Sequence, residues 1–359
     1  MSITRRNFMY KIILLLLFIL INTQPIFAQT QSVQIKTKVA FFSEKFLGLK
    51  NKQRYSNKGS TKLDFVYDNK KLLSQLSLNY NGNKKHTLDG SYLQYSSGLL
   101  TFGVGSINRH WSFSDNTSLI LSQNARPSKS VFLKLENKFK YDWMTSEANW
   151  STEIFNGFTE GSINNTRSMI LGVRAILSPV EGLNFEIVQT SQWGGKDQST
   201  GISALGSALF LDTSSGSNSN INKMAGFGIS YTIPTKIIPL RIYGQAVGED
   251  EAGNLPSCYT YLAGVEWSNL KFKFPITLGF EAVDTRINVT SNEHCGPNTM
   301  YNNNTYDYTN YGKSIGAAID TEGTSLGIYV SSRISQKIDI EFSTKSVVIN
   351  DSSWLEHRL

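Results

Sequence analysis

Beyond its first thirty residues the chain has no apolar run approaching the roughly 20 residues that a membrane-crossing helix needs, which excludes a helical membrane protein. Cysteine is scarce: Cys258 and Cys295 are the whole supply, too far apart for a tight metal-ligand spacing, although an exported chain permits a disulfide between them. Histidine is scarce too. His86, His110, His294 and His357 are scattered, and no zinc-protease, nucleophile-elbow, phosphate-loop or dinucleotide pattern surrounds them. A hydrolase would need a nucleophile with a histidine in reach, and neither His110 nor His294 has a recognisable partner. The expectation is therefore a protein that is not an enzyme, with no cofactor and no metal. Strong charge of one sign is missing as well. The 35 basic residues stand against 28 acidic ones; without Arg5, Arg6 and Lys11 of the N-terminus the net charge is +4, too mild for a nucleic-acid footprint.

What is present begins with an export signal. Arg5, Arg6 and Lys11 precede an unbroken apolar run from Ile12 to Ile21, a polar break from Asn22 to Pro25, and Ala28 as a small residue for cleavage. Residues 1–28 read as a secretory signal peptide, and "TRRNFM", which imitates a twin-arginine signal, is outweighed by so apolar a core. No cysteine near Ala28 offers a lipid anchor.

From about residue 60 the texture changes to short segments of period two, the period of a strand with one apolar and one polar face. "TKLDFVYDN" sets Leu63, Phe65 and Tyr67 against Lys62, Asp64 and Asp68. The rhythm recurs in "VFLKLENKF", "LNFEIVQTSQW", "KMAGFGISYTI", "YTYLAGVEW", "TSLGIYVSS" and their like, and more weakly in "HTLDGSYLQYSS" and "KSIGAAID", to roughly sixteen strands. Almost nothing reads as helix. The connections alternate in length: "SPVEG", "IPTKIIP" and "SNLK" are tight, whereas 193–222, 248–258 and 285–312 are long. A sandwich has no reason to sort loops this way; a membrane barrel, with turns on the periplasmic side and loops outside, does. Aromatics such as Trp150, Trp193, Tyr243, Trp267 and Tyr329 fall near strand ends, where interfacial girdles lie. The fold expected is all-β: a closed antiparallel outer-membrane β-barrel of about 16–18 strands, one domain over residues 29–359, monomeric, with the lipid bilayer as partner. The final "SSWLEHRL" lacks the terminal aromatic of most barrel-insertion signals.

Three irregular stretches stand out as binding candidates. In "NRHWSFSDNTSLILSQNARPSKS", Trp111, Asn124 and Arg126 would suit a sugar: an aromatic face for C–H bonds, an amide for hydroxyls and a guanidinium fork for a uronate. Pro127 biases Arg126 to an extended backbone. The competing reading is a structural arginine paired inside the lumen with acids from other strands. Glu249, Asp250 and Glu251 sit consecutively, as solvated loop charge, as partners for such arginines, or as a cation site. "YNNNTYDYTNYGKS" carries Tyr306, Tyr308, Tyr311 and Lys313, as glycan contacts or as a self-packed lid over the mouth. Cys258 and Cys295 both fall on the long-loop side.

"SLILSQNARP", "GQAVGEDEAG" with the "YTYLAGVEW" that follows, and "YTNYGKSIG" resemble, in that order, the signature segments of the Wzi family of capsule-assembly proteins, over roughly residues 100–325. The resemblance implies an eighteen-stranded outer-membrane barrel without enzymatic activity, a lectin that attaches capsular or extracellular polysaccharide to the cell surface. It also implies N-terminal helices plugging the lumen, for which residues 29–60 leave little room. The alternative function is an outer-membrane porin for sugars or anions, favoured by that short N-terminus.

Overall fold

The computed structural model describes residues 32–41, 59–81, 85–140, 146–160, 167–195, 198–210, 221–233, 239–249, 251–252, 255–269, 274–287, 295–303, 305–335 and 338–349. The leader read at residues 1–28, Asp250, His294 and the final "SSWLEHRL" from Ser352 on lie outside them.

The period-two segments form strands. In order these are β1 (Ser32–Phe41), β2 (Gly59–Asp68), β3 (Leu72–Asn81), β4 (Lys85–Thr87), β5 (Tyr92–Ser97), β6 (Leu100–Gly105), β7 (Lys129–Phe139), β8 (Ala148–Phe158) and β9 (Met169–Val180). They continue as β10 (Leu183–Trp193), β11 (Asn222–Thr232), β12 (Leu240–Glu249), β13 (Glu251–Ala252), β14 (Leu255–Pro256), β15 (Tyr259–Asn269), β16 (Ile276–Asp284), β17 (Thr324–Ser335) and β18 (Ile338–Val348). Sixteen of them make one sheet in which neighbours in sequence are neighbours in space, with β1 and β18 at its ends; β13 and β14 pair separately. Every pairing is antiparallel, as in β7 with β8 from Lys129↔Phe158 to Phe139↔Ala148.

Which face is exposed identifies the environment. Leu100, Phe102 and Val104 of β6, Val131 and Leu133 of β7, Ile187 of β10, Phe227 and Ile229 of β11 and Leu326 of β17 are exposed, Ile187 by 68% and Leu326 by 60%. Their alternating neighbours Thr101, Ser130, Glu186, Ser230 and Ser325 are buried. A soluble sheet would show the reverse; an apolar outer band with a polar inner face is the pattern of a wall that meets lipid.

The links sort by length as the sequence suggested. Residues 69–71, 98–99 and 181–182 turn tightly at one end, while the links 106–128, 159–168, 194–221 and 285–323 connect strands at the other. The 106–128 link and the described parts of 285–323 fold back over the inner face of the sheet and form the core with it: Trp111, Leu119, Ile120, Met300, Tyr301 and Tyr308 pack with Phe155 of β8, Val188 of β10, Met224 of β11, Val247 of β12 and Val283 of β16. Contacts from one short segment to strands so far apart in the path require the sheet to curl around it.

Three local expectations are corrected. "KSIGAAID" is not a strand but irregular backbone inside this core. "HTLDGSYLQYSS" is two strands, β4 and β5, both paired with β3 and interrupted at 88–91, where Gly90 takes φ +90°. A helix, α1 (Ile202–Phe210), occupies the link between β10 and β11; its run of apolar and small residues carries no charged residue at either end to mark it. No plug helix stands at the N-terminus of the described residues, where β1 is already paired with β2.

Candidate functional site

Irregular backbone buried away from water must find a partner for each N–H and C=O. In the 106–128 link the sheet supplies several. Gln245 of β12 accepts from the Leu119 N–H at 2.9 Å and donates to the Trp111 carbonyl at 2.6 Å and to Glu186 at 2.9 Å. Glu281 of β16 accepts from Thr117 at 2.6 Å and from Ser114. Within the link, Ser118 donates to the Trp111 carbonyl at 2.7 Å.

The tyrosines of the second link finish this framework. Tyr308 donates to the Ile120 carbonyl at 2.6 Å, Tyr301 donates to that of Leu119, and their rings stack with centroids 5.6 Å apart. Tyr306 donates to the Gly194 carbonyl at 2.9 Å. Burial raises the Tyr306 phenol to about 12 and those of Tyr301 and Tyr308 well above the ordinary value, so all three remain neutral donors at any physiological pH.

Several residues singled out in the sequence are therefore inside. Trp111 is 2% exposed and packs edge-on against Phe155. Asn124 is buried and donates to the Ser314 carbonyl at 2.9 Å. Tyr306, Tyr308 and Glu249 are buried as well, and Glu249 accepts the Tyr301 N–H. Asp250 lies outside the described residues, and Glu251 sits in β13. Cys258 and Cys295 form a disulfide, their Cα atoms 5.4 Å apart, tying the start of β15 to the 285–323 link. Arg126, Tyr311 and Lys313 remain near the long-loop surface.

Arg126 does have an acidic partner, though not a local one. The break between β4 and β5 places Asp89 against it, with Nε and Nη2 of the guanidinium donating to the two carboxylate oxygens at 2.7 and 2.9 Å. The same guanidinium lies 3.8 Å from the centre of the Tyr311 ring. Tyr311 sits at the tip of a small hairpin in which Asn310 donates to the Lys313 carbonyl at 2.9 Å. The two central residues, Tyr311 and Gly312, have φ of 56° and 71°, the pattern of a type I′ turn. Gly312 is at ease there; a bulky aromatic is not, and such strain tends to persist where the side chain is needed. Burial and Glu160 raise the Tyr311 phenol above its ordinary value against the pull of Arg126, and it hydrogen-bonds with Glu160. Asn310 meanwhile ties the hairpin to both neighbours: its amide donates to the Arg126 carbonyl at 2.7 Å and its oxygen accepts the Glu160 N–H at 2.7 Å. Lys313, half-buried, closes the turn.

Beside this hairpin opens a cleft of about 290 Å³, lined by Lys129, Phe158, Glu160, Arg167, Asn310 and Tyr311 with Pro127 and Thr159. It brings two cations, one carboxylate, an amide and an aromatic face 39% exposed to one place. Of these, only Tyr311 was a candidate from sequence, because Lys129, Glu160 and Arg167 belong to strand ends whose neighbours only the folded chain supplies. Among the described residues no cluster of histidine, cysteine and carboxylates could hold a metal ion.

Residues 27–353 match the family described as capsule assembly protein Wzi. A protein from Klebsiella pneumoniae described as an uncharacterized 55.8 kDa protein in the cps region is 27% identical over 190 residues, a match covering 52% of this chain and 38% of that relative's length. Among solved structures, the Escherichia coli outer-membrane protein Wzi, described as a carbohydrate-binding β-barrel involved in group 1 capsule assembly, superposes with a TM-score of 0.70. It is 22% identical, and the superposition covers 90% of this chain and 71% of the Escherichia coli one.

Proposed function

The chain belongs to the Wzi family of capsule assembly proteins, and from that premise we propose that it is an outer-membrane lectin whose long-loop rim holds a surface polysaccharide to the cell. The sheet closes, with β1 against β18, into a barrel that crosses the outer membrane. Its two ends are the strands with most to gain from pairing: Val33 and Ile35 of β1 and Ile340 and Phe342 of β18 are all more than half exposed, and an unprotected apolar edge invites a partner strand. The protein acts as a monomer, has no catalytic role and does not engage nucleic acid.

The observation that carries the binding site is the cleft beside Tyr311. Lys129 and Arg167 offer charge to an anionic sugar, Asn310 and Glu160 offer hydrogen bonds to hydroxyls, and the strained Tyr311 ring, backed by Arg126, offers a stacking face. Glu249, Tyr306, Tyr308, Trp111 and Asn124 serve by building the floor beneath it. An open porin would need an aqueous path where the 106–128 and 285–323 links are packed.

The test is binding of the purified protein to polysaccharide extracted from its own host. A Lys129→Ala, Arg167→Ala double variant is expected to bind about tenfold more weakly, a loss of about 1.4 kcal/mol, and to lose most of the salt dependence of binding. Unchanged affinity in that variant would remove the cleft from the proposal.

A further inference from the structure

Strand β10 separates two environments residue by residue. Val188, Thr190 and Gln192 point inward: Val188 joins the luminal core, Thr190 hydrogen-bonds with Tyr308 at 2.7 Å, and Gln192 accepts the Tyr308 N–H at 3.0 Å. Phe185, Ile187, Gln189, Ser191 and Trp193 therefore point outward. The first two are exposed, 40% and 68%, and are part of the outer apolar band. The next two are polar, on a face where polar groups have no water to turn to.

Helix α1 covers them. Ser191 donates to the Ala208 carbonyl at 2.7 Å, and the Gln189 amide donates to the carbonyls of Ala208 and Leu209 at 3.3 and 3.2 Å. Around these bonds Leu171, Trp193 and Ala208 form a separate apolar cluster with Met169, Ala204, Leu205, Leu209 and Ile221. The indole of Trp193 donates to Asn156 at 3.2 Å, which satisfies another polar group of the same outer face. So α1 is docked on the outside of the wall, near the end from which the long links leave, and its last carbonyls are the acceptors of the wall's own polar side chains.

Its far side is left over. Ile202 is 90% exposed and Phe210 79%, eight residues apart and so within about 80° of each other around the helix. "ISALGSALF" contains no charged residue. We propose that this face of α1 is a lipid contact: the helix lies in the outer leaflet against the barrel and buries Ile202 and Phe210 among acyl chains. The occupant follows from continuity, since the face runs on from Ile187 and Phe227, which are paired with each other in the lipid-facing band. It follows also from satisfaction of polar groups. A helix bonds its own backbone internally, and α1 accepts from Gln189 and Ser191 as well; the polar side chains on its outward face are Ser203 and Ser207, of which Ser207 donates to the Ser203 carbonyl at 3.1 Å. The inference rests on the outer-membrane placement argued above.

Because the chain's two cysteines are bonded to each other, a single introduced cysteine is a unique thiol. Full-length protein carrying Phe210→Cys, Ile187→Cys or Arg286→Cys, labelled with bimane, would be reconstituted in phosphatidylcholine vesicles with and without brominated acyl chains. The label at 210 is expected to be quenched by brominated lipid at least half as strongly as that at 187, and to be shielded from aqueous iodide several-fold better than that at 286. Quenching by iodide at 210 equal to that at 286, with 187 still quenched by lipid, would overturn the proposal and leave the barrel placement intact. Loss of lipid quenching at both 187 and 210 would overturn both. Efficient 210–210 crosslinking in dilute vesicles would overturn it by making a second copy the occupant.

Discussion

Tyr311 and His110 show two ways in which a single side chain depends on its surroundings. Tyr311 holds a positive φ that a residue such as asparagine adopts more readily, at a cost of about 1 kcal/mol or more. Tyr311→Asn is therefore expected to stabilise the 310–313 turn while weakening polysaccharide binding about tenfold; amide exchange of the turn and a binding titration would report the two opposing effects. His110 is held below its ordinary pKa, first by burial and also by Arg174, against the Ser114 carbonyl, Asp115 and Glu281. The unfolded chain then takes up the proton first as pH falls through about 6.5, so stability is constant above that point and declines below it. Exchange protection across 106–127 should drop between pH 7.5 and 5.5, and His110→Gln should flatten that dependence. At this scale the sequence was least informative. It could not distinguish Trp111 and Tyr308, buried in the core, from Tyr311 at the surface, because irregular backbone has no period that tells inside from outside. Nor could it pair Arg126 with Asp89, which are brought together only by a broken strand.

The elements divide into those legible in the sequence and those made by contact. Strands such as β7, β11 and β17 announced themselves through alternation, since each residue meets either lipid or the interior and the pleat leaves no third option. Loop-length parity was legible for the same reason, as a property of chain order. The course of 106–128 and of the described parts of 285–323 over the inner face of the sheet was not, because it is set by bonds to Gln245, Glu281 and Gln192 on distant strands. Helix α1 escaped notice because its apolar run lacks the charges that mark the ends of a helix. Two outcomes follow. Gln245→Leu strands the Leu119 N–H, the Trp111 carbonyl and one Glu186 contact, and is expected to cost about 3 kcal/mol in urea unfolding. Reduction of Cys258–Cys295, which closes a span of 37 residues, should cost about 2–4 kcal/mol and loosen the 285–323 link in limited proteolysis ahead of global unfolding.

For the molecule as a whole, the proposed reading is of an anchor rather than a conduit, supported by an apolar outer face, packed links on the inner face and a charged aromatic cleft at the long-loop end. In planar bilayers the protein should insert without a steady conductance, because the two inner links occupy the space that ions would use. The most direct test of the anchoring role compares intact cells of a strain that lacks the protein, complemented either with the native chain or with a chain carrying Lys129→Ala, Arg167→Ala and Tyr311→Ala, matched for outer-membrane abundance. The measured quantity is the ratio of cell-attached to shed polysaccharide. The native chain should keep most of the polymer on the cell and the variant should release most of it into the medium; equal retention by the two would contradict the account.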